Sequence, residues 1–263
     1  MYPLDFQIKN AMHHRFRSCL LILTTLFCLT AHVAMAREVT QDFGLSINAG
    51  IQKKIVQGLS VALDGEIRTN NNTTDLERLA LAASMAYKPI PYFKAEVGYE
   101  FIGRYYPKKT STPNVVTDTY WVPRHRVQVA ASGILPIGAF TLSLRERYQY
   151  THSSRATASQ WEAVTGLPLV DKVAEASDEH VLRSRLKAEY EIPDVGVTPY
   201  LSIEFYDDLA HAFELTDIKT TVGTVYDVAP NHALEFYYRY AAEVGSDAKK
   251  DTHLLAIGYQ FSF

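Results

Sequence analysis

The last eleven residues, His253 to Phe263, restrict most tightly what this chain can fold into. In an extended backbone Leu255, Ile257, Tyr259, Phe261 and Phe263 share one face, and Leu254, Ala256, Gly258, Gln260 and Ser262 share the other. One face is apolar and ends on aromatics; the other is small or polar. Such a strand suits a membrane barrel, with lipid outside and a wet interior. The edge strand of a soluble sandwich would alternate in the same way over so short a stretch, so the rest of the chain must decide.

It repeats the pattern. Phe43, Leu45, Ile47 and Ile51 alternate with Gly44, Ser46, Asn48 and Gly50, and Leu59, Val61, Leu63 and Ile67 with Ser60, Asp64, Glu66 and Arg68. Comparable segments follow around Leu79–Tyr87, Phe93–Phe101, Arg124–Val129, Phe140–Tyr150, Leu182–Ile192, Tyr200–Tyr206, Ile218–Val228 and Leu234–Tyr240. With the tail, that makes eleven. The connections alternate too. Lys88–Pro91, Leu135–Gly138, Ile192–Gly196 and Val228–Asn231 are short and Pro-containing, whereas Asn70–Asp75, Pro107–Thr119, Ser153–Asp178, Asp207–Glu214 and Gly245–Asp251 are longer and more polar.

This asymmetry predicts an all-β, antiparallel transmembrane β-barrel of about ten to twelve strands, with short periplasmic turns and longer extracellular loops. Bacterial single-chain barrels have an even number of strands. Either the first segment lies outside a ten-stranded ring, or a twelfth strand is missing from the reading.

The chain opens with the features of export. Lys9, Arg15 and Arg17 precede an apolar run from Cys19 to Ala31, and Ala34-Met-Ala36 follows, which predicts a signal peptide over residues 1–36 and a mature barrel domain over 37–263. Phe27 before Cys28 argues against a lipid anchor. Both cysteines fall in the signal, so the mature chain can form no disulfide or thiolate metal site. Its 23 Lys and Arg against 28 Asp and Glu argue against a nucleic-acid partner. The expected location is the outer membrane of a Gram-negative cell, and no cofactor is implied.

Aromatics read as two girdles. Tyr87, Phe93, Tyr190, Tyr226 and Phe263 lie near the short turns, and Phe101, Tyr105, Tyr148, Tyr150, Phe205 and Tyr240 toward the long loops. Glu146 breaks the apolar face and is placed at the upper interface, where a carboxylate costs least. The terminal aromatics Tyr259, Phe261 and Phe263 resemble the signal read by the barrel assembly machinery, an expected partner during biogenesis besides outer-membrane lipid.

Inside, Arg124, Arg126, Arg145, Arg147, Arg183 and Arg185 come from three consecutive strands and should form one patch in the extracellular half of the lumen. Glu100 and Glu204 flank it, and Asp64, Glu66 and Glu235 face it. Arginines opposed by acids resemble the eyelet of general porins; equally, a small barrel fills its interior with paired side chains and conducts nothing. Enzyme readings are thinner. Thr151-His-Ser-Ser154 with Glu162 is similar to the His/Ser arrangement of outer-membrane lipid A deacylases, and Asp207, Asp208 and His211 resemble the acid/His pairing of omptin proteases. His232 and His253 border turns and are expected to be solvated.

Leu142-Ser-Leu-Arg-Glu-Arg-Tyr-Gln-Tyr150, Leu182-Arg-Ser-Arg-Leu-Lys-Ala-Glu-Tyr190, Pro199-Tyr-Leu-Ser-Ile-Glu-Phe-Tyr-Asp207 and the His232-x-Leu-Glu-Phe-Tyr-Tyr segment resemble the bacterial family called domain of unknown function 2490, from about Asp42 to Phe263. The resemblance implies an outer-membrane barrel and no activity. The expected protein is a narrow or side-chain-filled barrel with a structural or small-solute role. The alternatives are a small anion-preferring porin, a surface receptor or adhesin using the 153–178 loop with Trp161, and, last, a rim lipid esterase.

Overall fold

The computed structural model describes residues 40–111, 113–244 and 250–263. The expected signal peptide lies outside the described residues. Eleven long strands form the body: β1 Thr40–Val56, β2 Leu59–Asn70, β3 Asp75–Ile90, β4 Phe93–Tyr106, β5 Tyr120–Ile137, β6 Phe140–Ser153, β7 Ser177–Tyr190, β8 Val197–Asp208, β9 Glu214–Ala229, β10 His232–Glu243 and β11 Lys250–Ser262. Each pairs antiparallel with its sequence neighbours, and the ring closes between β1 and β11. No helix among the described residues is long and apolar enough to cross a membrane.

The count of eleven lies within the expected ten to twelve, and it is the even alternatives that fail. All eleven strands belong to the ring, so neither ten nor twelve is right, and an odd up-and-down ring must contain one parallel pair. That pair is the β1–β11 seam, in register from Thr40 opposite Lys250 to Gln52 opposite Ser262. Both strands run from the long-loop rim toward the short-turn rim. The seam is tied at both ends. Lys250 Nζ meets the Asp42 carboxylate at 2.6 Å. At the other end Phe263 N–H donates to the Gln52 carbonyl and Lys54 N–H to the Phe263 carbonyl, each at 2.9 Å.

Side-chain alternation sorts the strands into two faces, as a period of two requires. Ile47, Leu63, Leu81, Val129, Leu144, Leu186 and Leu255 lie exposed on the outer wall, a surface that only an apolar solvent would tolerate at this extent. Tyr87, Phe93, Tyr226 and Phe263 stand exposed toward the short turns, and Tyr99, Phe101, Tyr148 and Phe205 toward the long loops. Glu146 also faces outward, where its carboxylate accepts a hydrogen bond from the Ser184 hydroxyl at 2.6 Å. The short turns use left-handed positions where glycine or Asn/Asp costs little: Gly58 and Gly138 have φ of 79° and 63°, Asp194 63° and Asn231 75°.

The two longest loops are themselves folded. Lys109–Ser111, Val115–Thr117 and Gln160–Glu162 form a three-stranded sheet, and Ala156–Ala158 pairs with Lys172–Ala174. Val116, Thr117 and Ala158 are buried within this cap. Trp161 is half-buried. Its ring lies under Lys108 Nζ, 4.7 Å from the centroid. Val164, Leu167, Leu169, Val170 and Val173 are exposed on the same loop, Val170 at 89%.

Candidate functional site in the barrel interior

Arginine enters the lumen from β5, β6 and β7 at every second residue, so its long side chains all meet the same enclosed space. Arg183 stands opposite Arg147 and Arg185 opposite Arg145 across the β6–β7 ladder. Like charges directly opposite one another are unfavourable, and the neighbouring strands supply the carboxylates that offset them. Glu204 on β8 accepts from Arg145 and Arg183, one on each oxygen, both at 2.7 Å, with Tyr206 Oη adding a third bond at 3.0 Å. Glu96 on β4 accepts from Arg147 at 3.0 Å and pairs with Lys94 at 2.9 Å. Arg126 pairs with Glu100 at 2.9 Å and donates to the Thr151 hydroxyl at 3.0 Å. Arg124 reaches Glu179 at 3.6 Å.

Neutral polar groups stitch this lattice together. Gln128 accepts from both Arg147 and Gln149, and Gln149 accepts from Arg183. Gln128, Gln149, Thr151 and Glu204 are all buried. Apart from Arg124–Glu179, these charged partners are between 6% and 18% exposed, Lys94 excepted. Removing water from charges is costly unless each finds a partner, and here most do.

The expected acids divide into three groups. Glu100 and Glu204 join the patch. Glu66 does not; it belongs to a second cluster, accepting from Arg68 at 2.5 Å, from Ser46 at 2.9 Å and from Arg78. Glu235 accepts from Tyr200 Oη at 2.6 Å. Tyr200 and Tyr237 pack with Leu254 and Ala256 into an apolar cluster inside the β8–β11 wall, with Lys187 over Tyr200 and Arg239 over Tyr237. Among the described residues, Asp64 makes no hydrogen bond or ion pair.

Sequence reasoning missed Glu96, Arg68, Arg78, Gln128 and Gln149. Their parity placed all of them on the lumen face, but pairing across two strands depends on register, which alternation alone does not set.

Asp64 lies across the ring from the arginines. Followed through Ala82, Glu100, Arg126 and Thr151, its register reaches Glu179 on β7. Followed the other way through Gly50, Gln260, Ala233 and Asp227, it reaches the turn at Gly196 that closes β7. Arg185 lies between these two ends, near the level of Asp64 but on the opposite wall.

The remaining candidates lie at the rims and in the loops. His152 Nδ1 pairs with Asp178 at 2.8 Å, while Glu162 accepts from Thr165. Ser153 is buried in the inner face, whereas its neighbour His152 faces outward, so the two cannot form a nucleophile–base pair. Asp208 caps the short helix Leu209–His211 and accepts from His211 at 2.8 Å. His232 and His253 are not simply solvated: they bond to Tyr259 and Tyr238 at 2.7 and 2.5 Å. Four outward-facing pairs repeat this geometry, including Tyr99–His125 and Tyr148–His180 at 2.7 and 2.8 Å. No group of three or more His, Cys, Asp or Glu suited to a metal ion occurs among the described residues.

In the tail, Tyr259 holds His232, and Phe261 stacks on Phe263 with ring centroids 5.4 Å apart. Lys53 Nζ lies 5.1 Å from the Phe263 centroid, so the last residue is bound to β1 by both backbone and side chain.

Among solved structures, the chain is similar to the beta domain of the Bordetella autotransporter BrkA, with a TM-score of 0.52 and 14% identity over 78% of this chain and 82% of that one. It is also similar to the translocator domain of the autotransporter NalP from Neisseria meningitidis, with a TM-score of 0.50 and 12% identity over 74% and 72%. At these identities the likeness concerns the fold. No curated protein matches the chain. The family model described as "Protein of unknown function (DUF2490)" matches residues 43–251, the greater part of the ring, and the chain belongs to that family.

Proposed function

We propose that this is an outer-membrane barrel of a Gram-negative cell whose interior is occupied by paired side chains, with a structural or small-solute role and no steady ion conduction. The ion-pair lattice carries this reading: Arg145, Arg147, Arg183 and Glu204 are each under 15% exposed although they line a lumen. In a wide aqueous pore the same groups would be solvated and screened, with little need for partners. The exposed apolar wall, the two aromatic girdles and the fold likeness support the membrane location. Lipid contact, removal of residues 1–36 on export and insertion by the assembly machinery follow as parts of the same proposal.

Planar-bilayer recording of the purified barrel tests it. Little steady conductance is expected in the wild type. Open, anion-selective channels whose selectivity falls in Arg145→Ala would replace this reading with a porin.

A second reading has its own observation. The folded cap carries Val164, Leu167 and Val170 outward on the 153–178 loop, as a surface receptor would. Cells producing the barrel with residues 163–171 replaced by a Gly-Ser linker should lose ligand or host-cell binding if that role is real. Unchanged binding would remove it.

A further inference from the structure

One arginine of the patch has no partner. Among the described residues Arg185 makes no ion pair and no side-chain hydrogen bond, while its five companions each have a carboxylate. The acid beside it in the ladder is Glu204, but both oxygens of Glu204 are taken by Arg145 and Arg183. Six arginines and Lys94 together share four carboxylates, Glu96, Glu100, Glu179 and Glu204. The patch therefore holds a cationic surplus. The remaining lumen acid near this level, Asp64 on β2, makes no ion pair with the patch among the described residues.

The surplus has a place. Arg145 faces Arg185 across the ladder. One step toward the short-turn rim, Lys187 lies opposite Ser143 on one side and Ser202 on the other. Residues 143, 145, 185, 187 and 202 share the inner face by parity. Ser143 and Ser202 thus flank the next inward-facing position after Arg185 on the same face, and neither hydroxyl makes a side-chain hydrogen bond among the described residues. Arg145, Arg147 and Arg183 bury their Nε atoms without a partner, whereas no nitrogen of Arg185 is buried in that way. Its fork faces accessible space.

We infer that Arg185, with Ser143 and Ser202, forms a binding site for a small tetrahedral oxyanion of the phosphate class. A guanidinium fork matches two oxygens of such an anion and the hydroxyls donate to the others, while the excess of guanidinium over carboxylate in the patch raises its local concentration; Lys187 itself is paired with Glu189 at 2.7 Å. The inference rests on the small-solute reading of the interior. It differs from an ion path in that the anion is held, not conducted.

The probe is inorganic phosphate, added to the full barrel purified in lipid-free detergent, with chloride at matched ionic strength as the control. Phosphate should raise the temperature at which the folded band is lost on gels, and calorimetric titration should show one site. Arg185→Gln should weaken that affinity by roughly tenfold or more, the effect of losing a charge-assisted pair of hydrogen bonds, and Arg185→Lys should fall between. Because Arg185 has no protein partner, Arg185→Gln without phosphate should fold and melt at or above the wild-type temperature. Equal phosphate affinity in wild type and Arg185→Gln, or no phosphate effect beyond that of chloride, overturns the site. Loss of stability in anion-free Arg185→Gln also overturns it, since a hidden structural partner would then explain the residue. Lipid-free detergent separates free phosphate from lipid headgroups: if wild-type stabilisation appears only after anionic lipid is restored, the free-phosphate site is wrong. Channel activity in bilayers would remove the filled-interior reading but leave the phosphate result standing, so the two failures are distinguishable.

Discussion

Arginine and glutamate in this lumen are not equivalent copies of one interaction, and their substitutions should differ accordingly. Arg126 is the ion-pair partner of Glu100, a carboxylate 15% exposed, so Arg126→Ala strands a buried charge and should cost about 3–5 kcal/mol. Arg145→Ala leaves Glu204 still bonded to Arg183 and Tyr206, so the loss is one charge-assisted bond, about 1.5–3 kcal/mol. Thermal unfolding of the two purified barrels should rank them in that order; the reverse order would contradict the observed partners.

His211 offers a test outside the wall. The Asp208 carboxylate that accepts its hydrogen bond and lies beside it raises its pKa above the ordinary 6.5. The protonated ring is therefore favoured in the folded loop. The contact is fully present below pH 6.5 and is lost as pH rises through the raised value. An NMR titration should place the His211 midpoint above 6.5 and return it toward 6.5 in Asp208→Asn.

Legibility also follows residue chemistry. The six arginines were placed correctly on the lumen face because parity is a local property. Glu66 was expected to face the patch from elsewhere, and its own partners Arg68 and Arg78 were not foreseen, nor was Glu96 as a partner of Arg147, because partners on other strands depend on the cumulative register of the sheet.

At the scale of the element, alternation located all eleven strands of the ring, and Pro or Gly located the short turns. Hydrophobic period could not show that the loop sequences Lys109–Ser111, Val115–Thr117, Gln160–Glu162, Ala156–Ala158 and Lys172–Ala174 pair with one another, since three-residue strands carry too little pattern. That folding hides Ala158 at 4% exposure and leaves Val170 at 89%. Val170→Cys should therefore react in intact cells with a membrane-impermeant thiol reagent, whereas Val195→Cys in the Ile192–Gly196 turn should react only after the outer membrane is opened. The opposite labelling pattern would invert the orientation.

The tail is an element with a defined mechanical role. Deleting Phe263 removes both backbone bonds to β1 and the Lys53 contact. The shortened chain should be exported yet fail to give a compact, heat-modifiable band from the outer-membrane fraction. Recovery of that band at wild-type yield would show that the seam does not need its last residue.

For the whole molecule, an even ring brings its first and last strands together antiparallel, so its chain enters and leaves at one rim. This ring does not. The parallel seam sets Thr40 beside Lys250 at the long-loop rim and Gln52 beside Ser262 at the other. The chain therefore runs between the rims an odd number of times, so Thr40 and Phe263 lie at opposite rims; in the membrane location we propose, those rims face different compartments. A peptide tag joined ahead of Thr40 would be displayed to the surroundings of the cell, while one joined after Phe263 would remain inside the envelope. In that proposed location assembly would carry Thr40 across the bilayer as well as the loops, a translocation that a barrel with both ends on the periplasmic side never has to perform.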